Sequence, residues 1–190
     1  MICETMFDVE KIGIIDEPPV IGSDRRVRAW DMGGSGRADY TAGVLMAEIK
    51  PRMSTNVFFI VLDVALFRST FEALTDRVRR IADEDGKDVL IALKKPQCGF
   101  ACDAVMQVRQ AVRGYRVAEW RNPGPPTARA SAFAKVVNSR RVALARGAWN
   151  DSLIEEMRLF PLCVYDNQVQ AASDAFLELA HPSAPLSRGD

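Results

Sequence analysis

Between residues 26 and 67 the chain alternates long apolar runs with short polar breaks. "RVRAW" (26–30), "YTAGVLMAEI" (40–49) and "NVFFIVLDVALF" (56–67) each have the length and the β-branched or aromatic content of a strand. The first two are separated by "DMGGSGRAD", whose three glycines permit the positive φ of a tight turn. "PRMSTN" is a hairpin-type connection to the third, so three consecutive antiparallel strands are predicted. Beyond residue 68 the period changes. Phe71, Leu74, Val78 and Ile81 are spaced three and four apart, which predicts an amphipathic helix capped by Ser69 or Thr70 and ended by Gly86. "DVLIAL" (88–93) is apolar throughout after its first residue, the mark of a strand covered on both faces. "CDAVMQVRQAVRG" (102–114) reads as a second helix and "YRVAEW" (115–120) as a further strand. A Pro/Gly-rich loop then leads into a third helix, "ARASAFAKVVNS" (128–139), and "RVALAR" (141–146) is a short extended piece. "NDSLIEEMRLF" (150–160) and "DNQVQAASDAFLELA" (166–180) read as two more helices, the first capped by Asn150 or Asp151, the second by Asp166. Residues 1–25, broken by Pro18 and Pro19, read as an irregular lead-in and 181–190 as a flexible tail, leaving 26–180 as the domain.

Three antiparallel strands followed by alternating helix and strand predict an α/β fold with a mixed β-sheet flanked by helices. Ribonuclease H-like nucleases use that order of elements, a likeness of fold that by itself says little about chemistry. Composition narrows the picture further. A chain of 190 residues with 48% hydrophobic content can build its own core without a disulfide or metal staple. The formal net charge is zero, so bulk charge does not announce a nucleic-acid partner. The four cysteines form no CxxC pair and His181 is the single histidine, which disfavours a Cys/His zinc site and suits reduced thiols. No apolar run reaches the ~18 residues of a membrane span, and the N-terminus lacks the basic start of a signal peptide. A cytoplasmic protein without a membrane partner is expected.

The chemistry that remains rests on carboxylates. Asp31 ends an apolar strand, where aspartate is disfavoured by propensity. Asp39 follows the glycine turn and Asp166 opens the last helix. Aspartates from separate elements that converge make a site for Mg²⁺ or Mn²⁺, which take oxygen ligands. Taken singly, Asp39 also suits a turn and Asp166 an N-cap. Asp63, inside a hydrophobic strand, is either a fourth acid or a solvent-facing end residue. There is no GxxxxGK[ST] phosphate loop, and "CGFAC" has no histidine to activate a thiol. Lys94, Lys95, Arg140 and Arg141 are candidates for contact with a phosphate backbone, beside the plainer reading of scattered surface charge.

Several of these pieces line up in order. "RAWDMGGSGRADYTAGVLMA", "VFFIVLDVALFRST", "GYRV", "RASAFAKVVNSRRVALARGAWNDSLIEEMRLFP" and "YDNQVQAASDAF" resemble the C-terminal nuclease domain of phage terminase large subunits, over residues from about 26 to 177. The resemblance implies a ribonuclease H-like fold and a two-metal endonuclease, with Mg²⁺ or Mn²⁺, that cuts double-stranded DNA during packaging of a phage or prophage genome in a bacterial host cell. It also implies, within a packaging motor, the terminase small subunit and the portal as partners. By position, Asp31 matches the first-strand metal ligand, Asp39 the acid after the glycine turn, and Asp166 the first acid of the closing acidic motif. Two departures stand out. Asn167 and Gln170 are amides where that motif carries further carboxylates, and Lys94, Lys95 and Pro96 stand where the family places an acid after its fourth strand. A lysine there opposes a divalent cation electrostatically. The departures raise an alternative to the nuclease: a catalytically degenerate terminase-like domain that binds DNA or a partner.

Overall fold

The computed structural model describes residues 5–19, 25–32, 40–51, 53, 55–94, 100–120 and 124–183. The glycine turn with Asp39, and Lys95, lie outside them. After a short 3-10 helix at Val9–Lys11 come β1 (Gly13–Ile15), β2 (Arg26–Asp31), β3 (Thr41–Ile49) and β4 (Phe58–Phe67). They are followed by α1 (Phe71–Asp85), β5 (Leu90–Lys94), α2 (Phe100–Ala111), β6 (Arg116–Trp120), α3 (Pro126–Asn138), β7 (Val142–Ala145), α4 (Asn150–Leu159) and α5 (Asn167–Ala180). The strands form one sheet in the order β1-β7-β4-β3-β2-β5-β6. β3 runs antiparallel to β2 and β4, and every other pair is parallel. The antiparallel trio and the mixed α/β sheet are as the apolar pattern predicts.

Strand parity sorts the side chains onto two faces. Trp30, Ile91 and Leu93 join Leu74 and Val78 of α1 and Val105 and Val108 of α2 on one face. Val27, Ala29, Ala92, Val44 and Val61 join α3, α4 and α5 on the other. α5 is the most deeply buried helix, with eleven residues from Gln168 to Leu179 inside. Ala171, Ala172 and Ala175 on it are fully buried, and residues this small let a helix backbone lie close to the sheet.

Ahead of β2, residues 7–15 pack onto the domain, which the sequence pattern does not suggest. Residues Gly13–Ile15 pair in parallel with β7 and extend the sheet by a strand too short to show a hydrophobic period. Phe7 is 1% exposed and packs edge-on against Phe133 and Phe160, with centroids 5.8 and 6.0 Å away.

Candidate functional site

Asp31 is the last residue of β2, and Lys94 is the last residue of β5. The two strands are parallel neighbours in a register that pairs Trp30 with Leu93, so the next residues on each reach the same height. Parity turns Asp31 and Lys94 to the face that α5 covers, since Ala29 and Ala92, two residues earlier on each strand, lie on that face. The result is a direct ion pair from Lys94 Nζ to Asp31 Oδ1. The other carboxylate oxygen, Asp31 Oδ2, accepts a hydrogen bond of 2.9 Å from the Asn167 amide at the start of α5.

Lys94 has a second partner. Its ammonium lies 3.1 Å from Asp174 Oδ2, two helical turns along α5, close enough for an ion pair but without hydrogen-bond geometry, so that this buried oxygen accepts no hydrogen bond. Asp174 is 1% exposed, and its Oδ1 accepts from Arg129 Nε at 2.8 Å. Arg129, on α3, is itself 3% exposed and also donates to Gln170 Oε1 at 2.6 Å and to the Gly124 carbonyl at 3.1 Å. Gln170 in turn donates to Asp166 Oδ2 at 3.0 Å. Asp166, Gln170 and Asp174 are four residues apart and share one face of α5, which lets a single chain of contacts run from Asp166 to Asp31. Burial pushes the Asp174 carboxyl up to about 6; Lys94 and Arg129 oppose that rise and Asp31 adds to it.

α5 is held at its N-terminus from another element. Asp166 occupies the N-cap position but makes no side-chain cap hydrogen bond. Glu156 of α4 does this instead: its Oε1 accepts from the Val169 backbone N–H at 2.7 Å and its Oε2 from Gln168 Nε2 at 2.7 Å. Burial pushes the Glu156 carboxyl up to about 7, against the pull of the Val169 and Gln168 donors.

The sequence model of the terminase RNaseH-like domain matches residues 28–176. The chain belongs to that family. No curated protein matches it in sequence. Among solved structures, the large terminase nuclease from thermophilic phage G20c with bound magnesium is 10% identical, with a TM-score of 0.58 over 90% of this chain and 96% of that one. The Thermus phage P74-26 large terminase nuclease domain is 12% identical, with a TM-score of 0.59 over 94% and 97%. The human cytomegalovirus terminase nuclease domain, soaked in Mn and inhibitor-bound, is 11% identical, with a TM-score of 0.57 over 82% of each chain. At these identities the likeness is one of fold, a ribonuclease H-like sheet flanked by helices.

Within this terminase-type fold the sequence-derived residues separate. Asp31 sits at the centre of the cluster; among the described residues Asp166 joins it indirectly, through Gln170, Arg129, Asp174 and Lys94. Lys94, expected to reach a phosphate backbone, is turned inward onto two carboxylates. Arg140 and Arg141 precede β7, whose first residue, Val142, pairs with Phe59 near the start of β4. Asp31 lies at the opposite end of the sheet, level with Ala42 and Leu66, so some seven residues of β4, about 20 Å, separate them. Asp63 ion-pairs with the buried Arg28 at 2.8 Å. Arg129, Asp174 and Glu156 were not singled out from sequence; the signal for Asp174 was its place four residues after Gln170 and eight after Asp166, on the same helix face.

The donors among the described residues do not by themselves fit a pair of divalent cations. Among the described residues no three of His, Cys, Asp and Glu come together to hold a metal. The two carboxylates that do approach one another, Asp31 and Asp174, share an ammonium, and Asn167 directs an N–H toward Asp31 where a ligand oxygen would be needed. Among the described residues no helix is long and apolar enough to cross a membrane.

Proposed function

We propose that this chain is the duplex-DNA-binding domain of a phage or prophage DNA-packaging terminase large subunit, and that it engages DNA without hydrolysing it through metals. Membership of the family supports the DNA partner, and through it the small subunit and portal of a packaging motor. The observation that carries the loss of metal chemistry is Lys94 bridging Asp31 and Asp174. Asn167 and Gln170, amides in the closing motif, support the same reading because they carry no charge, and the Gln170 oxygen already accepts from Arg129.

The metal-dependent endonuclease is the second reading. It is favoured by Asp31 at the carboxyl end of a central strand and by the metal-bound terminase nucleases among the fold neighbours, with Asp39 as a further acid. Two assays separate the readings. Labelled linear duplex should bind with an affinity that falls steeply with salt, as phosphate contacts require. Supercoiled plasmid in Mn²⁺ should be nicked no faster by the parent than by Asp31→Asn. Cleavage that Asp31→Asn abolishes would return the domain to the nucleases, and failure to bind duplex would remove the DNA partner.

A further inference from the structure

We propose that Lys94 is a tethered cation that does the electrostatic work of a metal at this centre, so that the fold holds Asp31 and Asp174 together without a divalent ion, and the same carboxylates become a cation site only when Lys94 is removed. This rests on the reading of the domain as metal-independent and says what replaced the metal.

Four observations lead there. The ammonium contacts carboxylates from two elements, β2 and α5, as a shared ion would. Its carrier strand ends level with Asp31, so the backbone register, and not a chance rotamer, brings it to this place. The Lys94 side chain is 24% exposed and that of Asp31 14%, while Asp174 is 1% exposed, so the pair is screened poorly by water and loss of the cation leaves like charges facing each other. Finally, Arg129 neutralises Asp174 from the far side but does not reach Asp31, whose other partner is the uncharged Asn167. Among the described residues Lys94 is thus the one cation partner of Asp31. A lysine placed this way opposes Mn²⁺ by bonding Asp31 and by setting a like charge beside Asp174. Replacing it with a carboxylate reverses the sign at the one point where Asp31 and Asp174 meet, giving three acids within reach of a single hard cation.

The test is thermal unfolding of the full chain in chelator and in millimolar Mn²⁺ alone. The parent should melt at the same temperature in both. Lys94→Asp should melt lower in chelator, by about 5–10 °C, and recover much of that loss in Mn²⁺. Adding Asn167→Asp should deepen the recovery. A parent stabilised saturably by Mn²⁺, or a folded Lys94→Asp indifferent to it, overturns the proposal. If Lys94→Asp does not fold in either condition, the parent decides by magnetic resonance. Backbone amide signals of Asp31, Asn167 and Asp174 should stay sharp as paramagnetic Mn²⁺ is added, and selective broadening of those three overturns it. These readouts involve no DNA. An unresponsive Lys94→Asp in a parent that binds duplex and does not cut it defeats the tethered-cation proposal and leaves the function proposed above standing.

Discussion

Arg129 shows how much of this centre depends on single side chains. It is buried and its guanidinium serves Asp174, Gln170 and the Gly124 carbonyl with separate N–H groups. Arg129→Met strands a buried carboxylate and should cost about 3–5 kcal/mol in a urea titration. Arg129→Lys keeps the charge but not the planar fork, and should recover only part of that loss. Glu156 makes a different prediction. Its carboxyl is held at about 7 when folded, against an ordinary value of 4.5, so between those values the native state carries more of the proton than the unfolded chain does. A raised acid of this kind favours the fold at low pH, and the advantage is lost as pH rises through about 7. Stability from urea midpoints should therefore fall between pH 5 and pH 8, and Glu156→Gln should flatten that slope while an amide oxygen still accepts from Val169. An unchanged slope would mean that Glu156 is ionised throughout.

At the scale of elements, Gly43 and Trp30 tie β3 to β2. They are opposite one another in the register, and a Cβ on Gly43 would sit 2.5 Å from Trp30 Cζ3. The indole fills the space over the glycine and meets Phe67 edge-on, with centroids 6.2 Å apart. Gly43→Ala should cost about 1–3 kcal/mol by overpacking, measured by denaturant, because neither the strand pair nor the buried ring has room to yield. Losing less than this would show that the ring can move. The same strands show what a sequence reveals. β2, β3, β4 and all five helices follow from the apolar period, whereas the expected side-chain caps do not form: Thr70 and Asp166 stand at N-cap positions without a cap hydrogen bond, and Trp149 precedes α4 in place of Asn150 or Asp151. β1 does not follow from a period: three residues hold none, and its pairing with β7 is set by tertiary packing around Phe7. In the site, Asp31 was legible because an acid at the end of an apolar strand is unusual. Arg129 was not, because an arginine in an alanine-rich helix looks like a solvent-facing residue until its burial against α5 is known.

At the scale of the whole molecule, the net charge of zero means that any DNA surface must be local. The Asp31 end of the sheet carries one such feature. Arg68 follows β4, lies 4.2 Å over the Tyr40 ring, and donates to the hydroxyl of Tyr165, the residue before Asp166. Tyr40 and Tyr165 meet at 5.0 Å, giving an exposed cation on an aromatic base. If duplex DNA binds at this end, Arg68→Gln should weaken it several-fold and lower the salt slope by about 1. Arg140→Gln with Arg141→Gln, about 20 Å away along the sheet, should leave the affinity unchanged. The reverse pattern in fluorescence anisotropy would place the DNA on the other end.

The measurement that bears most directly on the centre is calorimetric titration of the parent chain with Mn²⁺. An ammonium shared by Asp31 and Asp174 should leave only heats of dilution. Saturable binding at a stoichiometry of about two, abolished by Asp31→Asn, would contradict it and restore a two-metal site.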